Sequence, residues 1–521
     1  MSACPERVVR LRSDRTASRR VSIATASLFI LLTSCASSVS KPPALSAAPA
    51  NQSVDEQLRR DLSGIFTQPS IDHALWSVSV RSLKHDDTLY SLNASRMQTP
   101  ASNMKLVSAA VAAEKLGWDY RYTTKIYATG ALAGGDLDGD LVIVSNGDPT
   151  INTRHPERWG AFDAWAKQLY AQGIRRVGGQ LIGDDNAFAE PGWAVGWAWD
   201  DLSLGYGTAV GALQYNENQV EVQVGPGLEP GARAIISVSP PGSGIILDHA
   251  VTTVAAGLPS GFSFERIPGS NMLRISGQMA VGARAISADA SVPNPTILYL
   301  NALREALARN GIFVGGNPLD IDDARVKPDY GKATLLLEDR SVPLTAIIDA
   351  CLKWSLNEYS ETLLRSLVPA GGEATTEAGL EVVRDTLSKW GIKPELYVAR
   401  DGSGLSRNDY LSPAVLVQLL TAVWRDPRHV EPFRSALPVA GVSGTLANQL
   451  KDTPASGRVW AKTGSMSNVR SLSGYLVTLD NEPLVFSFMA TGFHVPSSQI
   501  DAAMNQALLR LVRYPRDLHE E

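Results

Sequence analysis

Pro100-Ala101-Ser102-Asn103-Met104-Lys105-Leu106-Val107-Ser108-Ala109-Ala110-Val111-Ala112-Ala113-Glu114-Lys115-Leu116 is the stretch on which the fold turns. From Met104 to Leu116 the apolar residues recur at helical spacing and alanine is abundant, which predicts a buried helix. Ser102 stands at its start, where a hydroxyl lies near the positive end of the helix dipole. Lys105 follows three residues later, on the same face of the first turn. A hydroxyl is a poor nucleophile at neutral pH and needs a base beside it. A desolvated lysine close to another cation loses its proton readily and can serve as that base. Alone, the same pattern also describes a serine helix cap, so its partners must be sought elsewhere in the chain.

Working outward, Leu75 to Leu83 alternates like a strand, His85-Asp86-Asp87 reads as a turn, and Thr88 to Leu92 returns as a second strand. Upstream, Leu58, Leu62 and Ile65 mark a helix. Downstream, from about residue 124 to 292, turns such as Gly134-Gly135-Asp136 and Asp138-Gly139-Asp140 separate short Val/Ile strands, with one helix over 161–172. Helical patterns resume over 295–310, 343–352, 357–367 and 413–424. Strands follow over 458–462, 471–478 and 484–490, and a last helix over 498–512. Helices flanking an antiparallel sheet, split by an insertion, make an α+β plan. The expected division is residues 55–123 and 293–515 for the helix-flanked domain and 124–292 for a β-rich inserted module, itself of two subdomains. A chain of 521 residues is long enough for that division.

Two further motifs fall in the helix-flanked part. Ser355-Leu356-Asn357 lies where one helix ends and the next begins. There the serine can relay a proton and the asparagine can bind a carbonyl; a plain helix cap is the alternative. Lys462-Thr463-Gly464 lies on a strand, with Ser465 after it. An extended backbone pairs with a peptide as an added strand. Lys462 and Thr463 can hold a carboxylate, Gly464 permits close approach, and Ser465 offers a hydroxyl and an N–H.

Three such motifs in this order resemble the penicillin-binding proteins and serine β-lactamases. The 253 residues between Ser102 and Ser355 narrow the resemblance to the class C low-molecular-mass penicillin-binding proteins, the D-Ala-D-Ala carboxypeptidase/endopeptidases, which carry extra domains at that point. Gly147-Asp148-Pro149-Thr150, Gly183-Asp184-Asp185-Asn186-Ala187-Phe188, Asp401-Gly402-Ser403-Gly404-Leu405-Ser406-Arg407 and Gly441-Val442-Ser443-Gly444-Thr445 also look like that family, over residues 56–513. Leu356 departs from it, since aspartate is usual there.

The resemblance implies a penicillin-binding/β-lactamase-like transpeptidase domain. In it Ser102 is the nucleophile, Lys105 its base, and Ser355, Asn357 and Lys462 complete the catalytic set. Thr463, Gly464 and Ser465 would bind the substrate carboxylate. It implies peptidoglycan stem peptides as substrates and β-lactam antibiotics as covalent inhibitors. It also implies a pocket for the free end of a diamino acid, for which Asp184, Phe188 and Arg407 are the matching positions. The alternative for Asp184 and Phe188 is a turn residue and a core residue. A β-lactamase and a non-catalytic wall-binding lipoprotein are the rival functions. The large insertion and the absence of a motif for a deacylating glutamate count against the first, and three intact polar motifs count against the second.

The N-terminus is basic, with six arginines among residues 7–20, and an apolar run follows from Val21 to Leu32. That run is short for a membrane span and reads as a secretory signal over residues 1–34. It ends Leu32-Thr33-Ser34-Cys35, which resembles a lipobox with Cys35 as the lipid attachment point; cleavage after Ala36 is the alternative. Residues 35–54 are rich in Ala, Ser and Pro and read as a flexible tether. Export to the periplasm, with at most a lipid anchor to a membrane, is the expectation. A formal net charge of -5 offers no field for nucleic acid. Seven scattered histidines and three cysteines give no metal-ligand spacing, so no metal or cofactor is expected. Cys351, in an apolar stretch, reads as a buried structural thiol. Trp193, Trp197 and Trp199 read as packing residues rather than a sugar platform. Nothing in the chain fixes an oligomeric state.

Overall fold

Residues 53–267 and 269–515 are described by the structure, a computed structural model. The expected signal, most of the tether and Cys35 lie outside those residues. Ser53 Oγ accepts the Glu56 N–H and caps the helix Val54–Phe66.

The strand runs of the sequence form one antiparallel sheet in the order Val459–Met466, Val469–Val477, Pro483–Thr491, Leu75–Ser82, Thr88–Leu92. Helices cover both faces, and period-two alternation along Pro483–Thr491 shows why. Leu484, Phe486, Phe488 and Ala490 enter the core shared with the helices Val54–Phe66 and Ser497–Val512. Val485 and Met489 enter the opposite core, with Met104–Leu116, Leu344–Trp354, Asn357–Arg365 and Pro413–Arg425. Met104–Leu116 is buried almost all round, as its alanine-rich composition implies. No helix among the described residues is long and apolar enough to cross a membrane.

The insertion folds around two apolar cores. One lies between the helices Ala161–Ala171 and Pro295–Arg309 and a five-stranded sheet. That sheet runs in the order Pro318–Asp320, Leu181–Asp184, Leu141–Ser145, Thr123–Ala128, Thr334–Arg340. This corrects the expected boundary at 292. Tyr299, Leu300, Leu303 and Leu307 pack with Ile126, Ile143 and Leu181, and Thr334–Arg340 pairs with Thr123–Ala128. By pairing and packing, the module ends near Arg340, before the helix Leu344–Trp354. The second core collects the strands Gln219–Gly225, Ile235–Ser239, Ile286–Ser291 and the sheet around Met272–Ala280.

A buried ion cluster ties the first sheet together. Arg158 Nη2 donates to Asp148 Oδ2 at 3.0 Å and to Asp339 Oδ2 at 2.5 Å, and Asp148 also accepts from Thr150. That is the work of the Gly147–Thr150 stretch: it fixes the turn after Leu141–Ser145 to the strand Thr334–Arg340.

Candidate active site

Ser102 sits in a 3-10 turn, Ala101–Asn103, that runs straight into the helix Met104–Leu116. The turn is tight: Ala101 holds a φ of 46° in the left-handed region, unusual for a residue with a side chain. Lys105, fully buried on the first turn of the helix, points back at it. Its Nζ lies 3.0 Å from Ser102 Oγ and donates to Asn357 Oδ1 at 2.6 Å and to the Ser403 carbonyl at 2.7 Å. Burial drives the Lys105 pKa down to about 8, while carboxylates at Asp401, Glu361 and Asp409 act in the opposite sense.

The second motif is delivered by a helix break. Ser355 adopts a left-handed conformation (φ 63°, ψ 40°) at the end of Leu344–Trp354, and Asn357 opens the next helix. The bend turns Ser355 Oγ and Asn357 toward the cleft while Leu356 joins the helical core. The middle side chain therefore faces the interior, and leucine there leaves Ser355 and Asn357 in place. Cys351, one turn earlier, is fully buried, and burial pushes its thiol up to about 11.

Lys462 belongs to the edge strand Val459–Met466. Its Nζ donates to Ser355 Oγ at 2.8 Å and to the Thr463 carbonyl at 2.7 Å. Burial and the charge of Lys105 lower its pKa well below the ordinary lysine value. Thr463 Oγ1 donates to Thr445 Oγ1 at 2.8 Å. Gly464 has a different reason from the one expected. A Cβ there would lie 2.1 Å from Ser471 Oγ and 2.8 Å from the Pro100 carbonyl, so glycine lets the edge strand press against the nucleophile turn. Asn103 stitches the same contact, donating to the Lys462 carbonyl and to Ser471 Oγ.

A loop over 401–407 closes the floor. Asp401 accepts from the N–H groups of Gly404 and Ser406, both at 2.7 Å. Glu361, one turn along the helix from Asn357, accepts from the N–H groups of Gly402 and Ser403. Burial and the neighbouring Asp401 push the Glu361 carboxyl up to about 7. Ser108 and Ser360 both donate to the Gly402 carbonyl. Together these bonds present the Ser403 carbonyl to Lys105. The Trp segment, expected as core or subdomain packing, is half buried, with Trp199 exposed. Trp197 Nε1 donates to Asp401 Oδ2 at 2.9 Å and so braces this loop from the insertion.

The cavity at Ser102, of about 240 Å³, is lined by Ser355, Asn357, Ser465 and Arg407, and by Asp201 and Tyr206 from the insertion. Asn357 Nδ2 donates to the Tyr206 carbonyl at 2.8 Å, and Tyr206 OH donates to Asp201 at 2.7 Å. Ser102, Lys105, Ser355, Asn357, Lys462, Ser465 and Arg407 thus come together. Asp184 and Phe188 do not. Asp184 ends the strand Leu181–Asp184 and accepts from the Asn186 N–H and from Tyr330 OH, the turn role given above as its alternative. Phe188 packs with Val210, Ala212 and Ala374. The acidic residue at the cleft is Asp201, which no spacing in the sequence singled out. One His–carboxylate cluster, Glu114, Asp426 and His429, occurs among the described residues. Trp118 Nε1 donates to His429 Nδ1, so the Nε2 hydrogen faces Glu114, and Arg428 spans both carboxylates. The cluster is internally satisfied and does not fit a metal.

The profile of the D-Ala-D-Ala carboxypeptidase 3 (S13) family matches residues 58–511. The D-alanyl-D-alanine carboxypeptidase of Actinomadura sp. (strain R39) is 32% identical over 470 residues, 88% of this chain and 85% of that protein. D-alanyl-D-alanine carboxypeptidase DacB of Haemophilus influenzae is 24% identical over 447 residues, 85% of this chain and 89% of its own length. The crystal structure of penicillin binding protein 4 (dacB) from Haemophilus influenzae superposes with a TM-score of 0.76 at 24% identity, covering 86% of this chain and 98% of that one. This places the fold in the penicillin-binding class. A serine beside a buried lysine of lowered pKa, and a profile that spans nearly the whole described chain, lead to one statement: this chain belongs to the D-Ala-D-Ala carboxypeptidase 3 (S13) family.

Proposed function

We propose that the protein is an exported serine D-Ala-D-Ala carboxypeptidase/endopeptidase that trims or opens peptidoglycan stem peptides through an acyl-enzyme on Ser102 and is acylated there by penicillins. The observation that carries this is the 3.0 Å approach of Ser102 Oγ to a buried Lys105 whose pKa is about 8. Neutral Lys105 takes the Ser102 proton as Oγ attacks the carbonyl of the penultimate D-Ala. The C–O bond forms, and the oxyanion meets the backbone N–H groups of Ser102 and Ser465, each such donor being worth about 3 kcal/mol. Ser355, held by Lys462 at 2.8 Å, gives its proton to the leaving nitrogen and recovers one from the Lys105 ammonium, so the proton taken from Ser102 ends on the leaving amine. The C–N bond breaks, and water then releases the acyl group by the reverse proton path. In this reading Thr463, Thr445 and Ser465 hold the terminal carboxylate. The relatives named above support this reading, and a homologous structure is described as complexed with a β-lactam.

Arg407 and Asp201 both line the cavity at Ser102, so in this reading the acidic partner of a diamino-acid end is Asp201 rather than Asp184. Since peptidoglycan lies outside the cytoplasm, activity requires export. The basic, then apolar N-terminus supports export, and Cys35 is the proposed lipid site; Cys35→Ala would move the protein from membrane to soluble fractions. The enzyme assay is release of D-alanine from a pentapeptide, alongside the lifetime of a fluorescent penicillin label. Release with a stable label supports the proposal. Rapid label turnover without D-alanine release points to a β-lactamase, and neither activity points to a non-catalytic wall protein.

A further inference from the structure

A second cavity, of about 330 Å³, lies on the insertion beside the catalytic cleft. The 3-10 turn Asp201–Ser203 connects the two. Asp201 lines the cavity at Ser102, and Leu202, the next residue, lines the second one. The strands Gly261–Arg266 and Ile286–Ser291 pin that turn. Ser203 Oγ accepts the Arg266 N–H at 2.7 Å, and Ser291 Oγ donates to the Leu202 carbonyl at 2.5 Å. The spacing of the two cavities is therefore fixed by the fold.

Indole rings wall the second cavity. Trp193 is half buried and Trp199 is 65% exposed, and neither belongs to the apolar cores described above. Leu202 and Pro293 add apolar surface. The polar groups are mostly committed. Arg266 donates to the Ser291 carbonyl and to its Oγ, and Ser270 Oγ donates to the Ile267 carbonyl. Asn271 is exposed, and its side-chain amide makes no hydrogen bond among the described residues. Among those residues the lining holds no carboxylate.

That combination selects a class of ligand. A cation finds no carboxylate, and an anion finds the guanidinium already turned to Ser291. A neutral ring with apolar C–H faces and polar edges suits indole walls beside one free amide. The volume is that of a small-ligand site, which begins at about 300 Å³.

We infer that this cavity is a glycan subsite, in which a neutral N-acetylated sugar ring of the peptidoglycan strand stacks on Trp199 and Trp193 and bonds Asn271 through its amide or hydroxyl groups. The inference rests on the peptidase reading above, because the stem peptide cut at Ser102 is joined to such a sugar at its other end. Four residues on the acyl side span up to about 14 Å. Consecutive lining residues, about 3.8 Å apart at Cα, put the two cavities within that reach.

The test uses full-length protein carrying Ser102→Ala, so that substrate is bound but not turned over. Calorimetry compares a free pentapeptide with the same peptide carrying its N-acetylated disaccharide. The sugar-bearing peptide should bind about tenfold more tightly, the scale of one good aromatic contact. Trp199→Ala in the same background should remove that preference and leave the affinity for free pentapeptide unchanged. Trp199 is exposed, so the variant folds, and Asn271→Ala should also reduce the preference. With Ser102 present, Trp199→Ala should release D-alanine from free pentapeptide at the parent rate. Equal binding of the two ligands, or a preference untouched by both variants, overturns the subsite. An equal loss on both ligands in Trp199→Ala would make the tryptophan a peptide contact and overturn it too. Penicillin labelling of the parent protein separates the two claims. A label with no sugar preference refutes the subsite alone, and a sugar preference with no label refutes the acyl-enzyme reading alone.

Discussion

Gly404→Ala should disable acylation without touching any group that does chemistry. Gly404 has a φ of +80°, and a Cβ built on it would lie 1.8 Å from the Ala101 carbonyl oxygen, 2.5 Å from its carbon and 2.9 Å from Met104 Cβ. Ordinary contact at such atoms is about 3.4 Å, so the 401–407 loop and the nucleophile turn must part by more than about 1 Å. Those two segments carry the Ser403 carbonyl, 2.7 Å from Lys105 Nζ, and Ser102 itself. Misplacement by about 1 Å costs on the order of 100-fold in rate. The control is Gly117→Ala at the other end of the same helix. Gly117 also has a φ of +80°, but nothing lies within 4 Å of its would-be Cβ. It carries the strain of an alanine at φ +80°, ψ 152°, a region almost confined to glycine, about 1–3 kcal/mol, and no clash. The assay is the second-order rate of fluorescent penicillin labelling, with thermal unfolding beside it. Gly404→Ala should label about 100-fold more slowly while Gly117→Ala labels at the parent rate with a small loss of stability. Equal labelling by both variants would refute the claim that this loop sets the nucleophile's geometry.

Acylation should rise with pH through about 8 and then level, because the base must be neutral and Lys105 has a pKa of about 8. Roughly a tenth of it is neutral at pH 7, and a rate flat from pH 6 to 9 would argue against Lys105 as the base. Asp201→Ala should weaken cleavage of a peptide with a free diamino-acid end while sparing the blocked peptide, in steady-state kinetics; an equal loss on both would make Asp201 structural. Arg158→Met should cost about 3–5 kcal/mol in urea unfolding by leaving Asp148 buried without its cation. The Asp148 pKa is already raised in the folded protein, so the native state holds that proton more tightly than the unfolded chain. Stability from this group therefore falls as pH rises through its folded pKa, and the deficit of the variant should shrink toward acid pH. A deficit independent of pH would contradict the assignment.

The sequence reading and the structure agree where periodicity is strong. The helix Met104–Leu116 and the strands flanking the motifs were legible because alternation and helical spacing report burial directly. The end of the insertion was not. Leu298 to Leu307 reads as a generic amphipathic helix, and only the pairing of Thr334–Arg340 with Thr123–Ala128 shows which core it serves. The side chains gathered at the candidate site were legible because their motifs are local. Those that support them were harder to see: Glu361 acts through a helix turn and a loop 40 residues away, and Asn103 acts across the edge strand. Asp184 looked functional because acidic turn residues and pocket carboxylates look alike in a string of letters. Asp201 and Tyr206 were invisible for the opposite reason, since the loop that carries them to Asn357 has no periodicity.

Mass spectrometry of the intact protein after incubation with benzylpenicillin, followed by peptide mapping, tests the central claim most directly. The account expects one penicilloyl group per chain, on the peptide containing Ser102, and none on Ser102→Ala protein of unchanged thermal stability. An adduct on another residue, or undiminished labelling of Ser102→Ala, would contradict it.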